Sequence, residues 1–378
     1  MRSVRTGKGP MREARRYRIF PDEAQKTLFA KTFGCCRFLY NQMVADRKKE
    51  YEETGKTVRR TPAFYKKDYP WLKEVDSLAL ANTQLHVETA YQKFFEPGAN
   101  RYPRFKSKRK SRKSYTTNRV NGNIGFVDGK LKLPKAGLVK ILLHREVPAD
   151  GILKSVTVSM EPSGKYYASI LYELPEHENQ VSGKNAEEME ILGIDFSMNE
   201  LAVFSDGTSA DYPRYYRKAQ EKLAREQRKL SHCQKGSRNY EKQRKKAAVC
   251  HEKTRNKRND FQHKLSRKLA DRYDVIVIED LNMKGMSQAL NFGKSVMDNG
   301  YGAFCEKISY KLKRQGKRLI KVDWSFPSSK KCSVCGRVKK ELGLDERVYH
   351  CECGNHMDRD VNAAINLREE GRRILLTA

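Results

Sequence analysis

The chain has 378 residues, 77 Lys+Arg against 46 Asp+Glu, and a formal net charge of +31. So large a cationic excess repels itself in a compact state unless a polyanion neutralises it, which makes nucleic acid the expected partner. No run of about eighteen apolar residues occurs, so no helical membrane span is expected, and the basic first twenty residues lack the apolar segment of a secretory signal, so a cytoplasmic location is expected.

Residues 1–14 are basic and read as frayed or facing nucleic acid, and "RRYRIF" then reads as a short strand that Pro21 breaks. The stretch from Asp22 to Gly55 has an acidic start and apolar residues at helical spacing (Leu28, Phe29, Phe33, Phe38, Leu39, Met43), which predicts a helix. Cys35 and Cys36 lie among aromatics and read as small buried hydrophobes. A second amphipathic helix is expected over 71–95. Its polar face carries Ser77, Asn82 and Gln84, side chains able to read base edges, although each taken singly also suits a solvated face. In "RYPRFKSKRKSRKSY", Arg101, Arg104, Lys106, Lys108, Arg109 and Lys110 are interleaved with Tyr102, Phe105 and Tyr115. Cations for phosphates and rings for stacking make this a nucleic-acid contact rather than a plain linker.

From 120 to 175 the texture is β, with turn signals at Asp128-Gly129 and a hairpin about Pro162–Gly164. A small basic barrel or sheet is expected there. The polar stretch 176–188 reads as a linker and domain boundary. "MEILGIDFSMNELAVFSDG" then gives two strands, the first enclosing Asp195, a carboxylate that an apolar strand tolerates only with a partner or a metal. Residues 214–272 carry 21 Lys or Arg against 6 Asp or Glu and read as a basic helical hairpin broken near Lys235-Gly236-Ser237. Val275–Ile278 reads as a strand buried on both faces, with Glu279 and Asp280 at its carboxyl end, where α/β sites usually lie. Residues 296–315 look helical, and "KRLIKVD" is another short strand.

The chain has nine cysteines, an odd number, and four of them close the sequence pattern. Cys332 and Cys335 form a C-x2-C pair followed by Gly336, and Cys351 and Cys353 a C-x-C pair followed by Gly354. Four thiolates fill a tetrahedral Zn²⁺ site with no open position, which suits a structural ion in a reducing compartment. The C-x-C spacing is tight, which leaves His350 or His356 as a possible replacement for one thiolate. Asp195, Glu279 and Asp360 form a second set. Each alone has a plain reading, Asp360 as a helix N-cap for instance, but three such acids in a cationic chain suit a pair of Mg²⁺ ions that hydrolyse a phosphodiester.

These stretches resemble the TnpB (OrfB) family of insertion-sequence proteins, related to the small type V CRISPR effectors. "YRIFPDEAQKTLFAKTFGCCRFLYNQ", "YPRFKSKRK" and "LPKAGLVKI" resemble its N-terminal half. "GIDFSMNELAVFSDG", "VIVIEDLNMKGM" and "PSSKKCSVCG…CECGNHMDRDVNAAINL" resemble its three RuvC motifs and zinc module. The resemblance implies an RNA-guided DNA endonuclease of a bacterial or archaeal transposable element. It implies a structured guide RNA, double-stranded target DNA cut beside a short motif, and one chain per guide RNA. The catalytic acids would be Asp195, Glu279 and Asp360, holding two Mg²⁺, with Cys332, Cys335, Cys351 and Cys353 on one Zn²⁺. Ser197 stands where the family usually has glycine.

The implied fold is multidomain α+β: an RNase H-like RuvC α/β nuclease domain with a zinc-binding insertion, and an N-terminal β-barrel (wedge) domain with an inserted helical recognition lobe. The expected divisions are wedge 1–20, recognition lobe 21–97, wedge and linker 98–188, RuvC 189–327 with the basic hairpin, zinc module 328–356 and RuvC end 357–378. Two other functions fit the residues less well: a DNA transposase acting without guide RNA, and an RNA-loaded repressor that binds without cutting. The intact acids argue against the latter.

Overall fold

The computed structural model describes residues 11–97, 101–175, 185, 187–197, 200–280, 298–343 and 346–377. The readings for residues 1–10, for most of the 176–188 linker, for the turn at 198–199, for the motif tail 281–286 and for the helix start at 296–297 lie outside them. The chain divides into two compact units, Met1–His177 and Glu178–Ala378. Among the described residues, no helix is long and apolar enough to cross a membrane.

In the first unit, β1 (Met11–Phe20) is followed by α1 (Glu23–Thr54), α2 (Pro62–Asp68), a 3-10 turn (Pro70–Glu74) and α3 (Ser77–Phe95). Then come β2 (Lys113–Asn118), β3 (Gly125–Val127), β4 (Lys130–Leu133), β5 (Gly137–Leu142), β6 (Ile152–Met160) and β7 (Tyr166–Leu174). The seven strands pair in the order β2-β6-β7-β1-β5-β4-β3, an open half-barrel sheet with β2 and β3 at its ends. Met11–Ala14, expected to be frayed or to face nucleic acid, extend β1 and pair with Leu174–Leu171 of β7. Asp22 caps α1 in a reciprocal box with Gln25, and Gly55 ends it at φ 66°. The helix expected over 71–95 is broken, because Asp76 turns its carboxylate onto the Leu78 N–H and starts α3 there. Helices and sheet share one core, in which Phe29, Leu39, Leu72 and Leu80 join Tyr17, Leu131 and Tyr172.

The second unit holds β8 (Ile191–Asp195), β9 (Val203–Phe204), α4 (Tyr215–Ser231), α5 (Arg238–Arg272), β10 (Val275–Glu279), α6 (Tyr301–Arg314), β11 (Arg318–Val322), β12 (Val348–His350), β13 (His356–Asp358) and α7 (Arg359–Leu376). The sheet runs β11-β10-β8-β9, with β10 parallel to both β8 and β11, and β9 antiparallel to β8. The α4–α5 pair is the expected basic hairpin.

Period-two alternation divides the strand residues between two cores. Leu192, Ile194, Ile276 and Ile278 pack with Leu269 of α5 and Phe304 and Ile308 of α6. Ile191, Val275, Val277 and Val322 pack with Leu367 of α7. The sheet is therefore covered on both faces, as the continuous apolar run predicts.

On its second face α7 lies backbone to backbone with β8. A Cβ added at Gly193 would fall 1.9 Å from the Ala364 carbonyl oxygen and 2.7 Å from the Arg368 nitrogen. One added at Gly371 would fall 2.2 Å from a Val277 methyl. Gly193→Ala is expected to destabilise the protein by about 1–3 kcal/mol, because the clash is with backbone that cannot rotate away. Gly302→Ala, with open space around its Cα, should be neutral or mildly stabilising. Thermal unfolding of the two variants side by side checks this, and equal melting temperatures would contradict the close packing.

Candidate active site and cysteine cluster

Alternation along the strands also places the acids. Asp195 follows Ile191 and Gly193 at even spacing, and Glu279 follows Val275 and Val277. Both therefore belong to the face that α7 covers, at the carboxyl ends of adjacent parallel strands. Asp360 lies in the first turn of α7. Asp358, two residues before it, is the actual N-cap, accepting from the N–H groups of Asp360 (2.9 Å) and Val361 (3.1 Å). The cap reading thus passes to Asp358, which leaves the Asp360 carboxylate available to the site. Asp280 is directed elsewhere, onto Lys321 at 2.8 Å.

The three carboxylates are electrostatic neighbours. Burial pushes the Asp195 carboxyl up to about 8, and the negative charges of Asp360 and Glu279 add to the shift, while Arg359 opposes it. Burial also raises Glu279, against a hydrogen bond with Ser328 that favours its ionised form. Arg359 sits 3.7 Å from Asp360 and donates to the Gly343 carbonyl at 3.0 Å. Behind the site, the Ser197 carbonyl accepts from Tyr301 Oη (2.7 Å) and Asn299 Nδ2 (3.3 Å), which ties the end of β8 to the start of α6.

The four sulfurs of Cys332, Cys335, Cys351 and Cys353 lie within 4.8 Å of one another, a set able to hold a metal ion. Both knuckles close through glycine at positive φ, 76° at Gly336 and 88° at Gly354, with Gly336 N–H donating to the Cys332 carbonyl and Gly354 N–H to that of Cys351. The one-residue spacing therefore brings Cys351 and Cys353 together to the cluster. His350 and His356 instead face each other across the β12–β13 pair, ring centroids 4.4 Å apart. Burial pushes the Cys332 thiol up, but N–H groups of Cys335 and Val334 and the Asn355 amide outweigh it and bring it down to about 6. At Cys353 the N–H of Asn355 favours the thiolate, but burial and the three neighbouring sulfurs prevail and push it up to about 12. Sulfurs this close cannot all ionise without a cation, so the donor set fits a metal.

Three asparagines that the sequence pattern did not single out as functional join the two sites. Asn362 donates to the Lys331 carbonyl (2.8 Å) and accepts from the Ser333 N–H (3.0 Å). Asn366, one turn on, donates to the carbonyls of Ser328 (2.8 Å) and Lys331 (2.6 Å). Asn355 reaches Cys332 Sγ at 3.4 Å. The first cysteine knuckle is thus hydrogen-bonded to α7, the helix that carries Asp360. The i, i+4 spacing of Asn362 and Asn366 on one helix face is the signal that could have found two of them.

In the first unit, Arg101, Arg104, Lys108, Arg109 and Lys110 are exposed and Phe105 is 61 % exposed. Lys106 is half-buried with its ammonium 3.8 Å from the Tyr40 ring centroid. Ser77 is exposed, hydrogen-bonded to Lys66 (3.0 Å), and Gln84 is half-buried. Two other expected contact residues are largely buried. Tyr115 is 5 % exposed, packed against Phe29 and Phe33, because it takes an inward position of β2. Asn82 is 8 % exposed and donates to the Leu78 carbonyl of its own helix.

Comparison with known proteins bears on the whole chain. A family model described as "Probable transposase" (OrfB of IS605 elements) matches residues 169–290. A "Cas12f1-like, TNB domain" model matches 301–367 and a "Helix-turn-helix domain" model of the same OrfB group matches 11–56. A "Putative RNA-guided DNA endonuclease" of Streptomyces pristinaespiralis is 33% identical over 371 residues, 96% of this chain and 90% of that protein. The chain belongs to the TnpB (OrfB) family. A relative from Escherichia coli K12, InsQ, carries the same descriptive name and is 28% identical over 96% of this chain and 93% of its own. The fold agrees with a Cas12f1 chain solved in complex with single-guide RNA and target DNA: TM-score 0.61, 12% identity, 95% of this chain and 99% of that one. The chain thus has a mixed α/β multidomain fold similar to Cas12f. The helix-turn-helix description does not fit what residues 11–56 form here, a strand and one 32-residue helix.

The Asp195 shift makes a stability prediction for the metal-free protein. Below the ordinary aspartate value of 3.8, folded and unfolded chains both carry the proton and nothing is lost. Between there and about 8 only the folded chain holds it, so stability falls as pH rises through that window. The melting temperature in chelator should therefore drop more between pH 5 and pH 8 for the native chain than for Asp195→Asn, which does not titrate. Parallel pH profiles would show that Asp195 is not held neutral.

Proposed function

We propose that this chain is an RNA-guided, divalent-metal-dependent DNA endonuclease with a RuvC-type site, encoded by a transposable element. It would cut double-stranded DNA beside a short target-adjacent motif. The observation that carries this reading is the meeting of Asp195, Glu279 and Asp360, from two parallel strands and one helix, where burial and like charge raise the Asp195 carboxyl to about 8. Family membership over nearly the full chain supports the same reading. Asp195, Glu279 and Asp360 would hold two Mg²⁺, which supply Lewis-acid stabilisation of the charge that develops during phosphodiester hydrolysis. The chain's own contribution is to fix the three carboxylates: Asp195 and Glu279 by strand register, Asp360 by the Asp358 cap and the packing of α7 on β8.

Cys332, Cys335, Cys351 and Cys353 would hold one Zn²⁺ in a closed tetrahedral site. In this reading the module spanning 328–356 orients α7 through Asn362 and Asn366. The exposed cations of 101–110 and the basic α4–α5 hairpin would track phosphates of the guide RNA and its heteroduplex, whose sequence is read by base pairing. Residues 1–20 with 98–188 would form the wedge, 21–97 the recognition lobe, and 189–327 with 357–378 the nuclease domain.

The test is cleavage of a plasmid by the protein together with its copurified RNA in Mg²⁺. Asp195→Ala should abolish cutting, by at least about 10³-fold, while RNA and target binding stay within about twofold of the parent. Cutting that persists in this variant would remove Asp195 from the site. Cutting or joining that needs no RNA would favour a transposase. Metal analysis should find about one zinc per chain. Cys332→Ser should lose that zinc and cut more slowly, and active protein free of zinc would end the structural-zinc account.

A further inference from the structure

Trp324 and Phe95 are, at 72 % exposure each, the most solvent-exposed large apolar side chains among the described residues. An isolated exposed apolar residue needs no explanation, but the place of Trp324 does. It stands two residues beyond Val322, the register partner of Glu279 in the parallel sheet. Two residues extend the chain by at most ~7 Å and paired strands lie ~4.8 Å apart, so the Trp324 backbone stands within ~12 Å of that of Glu279, at the β10–β11 edge of the carboxylate site. Its loop is fixed. Asp323 Oδ1 accepts from the N–H (2.8 Å) and Oγ (2.6 Å) of Ser325, and Phe326 N–H returns to the Asp323 carbonyl at 3.0 Å. At the loop's far end Ser328 hydrogen-bonds Glu279 and gives its carbonyl to Asn366 of α7. Cations flank it: Lys330 is exposed, the Lys331 ammonium sits 5.5 Å from the Phe326 ring centroid, and Lys321, exposed as well, is paired with Asp280. A rigid loop that shows a bare indole to solvent, beside a cluster of acids and among lysines, has the make-up of a stacking platform for one base of a single strand.

We propose that Trp324 binds the DNA strand that is being cut, stacking on a base one or two nucleotides from the scissile phosphate and so holding that phosphate against Asp195, Glu279 and Asp360. The charge pattern favours a nucleic-acid strand over an apolar protein partner, and the position beside the acids favours the strand that is cut over the guide. Stacking accepts any base, so the contact adds hold without adding sequence preference, which base pairing already supplies. This assignment rests on the nuclease reading above.

The chain has two tryptophans, Trp71 and Trp324, so Trp71→Phe makes Trp324 the only indole reporter in the full-length protein with its copurified RNA. With EDTA present to prevent cutting, a single-stranded DNA oligonucleotide is expected to quench Trp324 emission saturably. In Mg²⁺, Trp324→Ala should cut about tenfold more slowly with target binding unchanged, Trp324→Phe should recover most of the rate, and Trp324→Leu should not. If Trp71→Phe folds poorly, the emission difference between the parent and Trp324→Phe reads the same signal. Unaltered emission with DNA, quenching by the guide RNA alone, or full-rate cutting by Trp324→Ala would each overturn the proposal. If the parent chain fails to cut while the quench by DNA remains, the nuclease reading fails and the strand contact stands.

Discussion

The arrangement of the second unit depends on one close approach, that of α7 to β8 across Gly193. The space for a side chain at Gly193 is taken by the Ala364 carbonyl, and the space at Gly371 by Val277. Any larger residue would lift the helix from the sheet. Because α7 begins at Arg359, that separation also sets how far Asp360 stands from the carboxyl ends of β8 and β10. Helix packing against a sheet is usually cushioned by side chains. Here the backbones themselves are the spacer, and a backbone cannot change rotamer.

Drawing the acids together is electrostatically unfavourable, and the molecule handles that in an instructive way. The chain is strongly cationic, yet acidic groups crowd together at two points, the three carboxylates and the four sulfurs. At both, neighbouring like charge works against ionisation: Asp195 is pushed up by burial together with Asp360 and Glu279, and Cys353 by burial and its neighbouring sulfurs. The counterweights are specific. Arg359 opposes the shift at Asp195, and backbone N–H groups and Asn355 hold Cys332 down. The two clusters are also mechanically joined, because Asn362 and Asn366 grip the segment that leads into the first cysteine knuckle.

Much of this was legible beforehand, for local reasons. Thiolate spacing, glycine after each knuckle and acids ending apolar runs are short-range patterns, and short-range geometry suffices to bring Cys351 and Cys353 to the same cluster. Even the shared face of Asp195 and Glu279 is implicit in the parity of the strands. Other readings failed where a neighbour had to be known. Tyr115 sits in a basic, ring-bearing stretch that resembles a binding loop, but β2 begins at Lys113 and turns that ring inward onto α1. Asn82 shares a helix with the exposed Ser77, but α3 turns it to the side that packs inward with Ala79, Leu80 and Thr83. Met11–Ala14 read as frayed or facing nucleic acid because the strand that orders them, β7, lies about 160 residues further on.

The amino-acid sequence by itself determined the identity of the two chemical sets, the acids and the thiols, and the family to which they belong, because those depend on residue type and near-neighbour spacing. Only the tertiary structure decided that Asp358 is the cap of α7, that Asp280 turns away to Lys321, that three asparagines link the cysteine cluster to the helix, and that the Trp324 indole stands exposed two residues beyond Val322. Periodicity can say that a side chain points inward or outward. What it meets there is set by contacts between segments far apart in the chain, and those exist only once the sheet has paired and α7 has closed onto it.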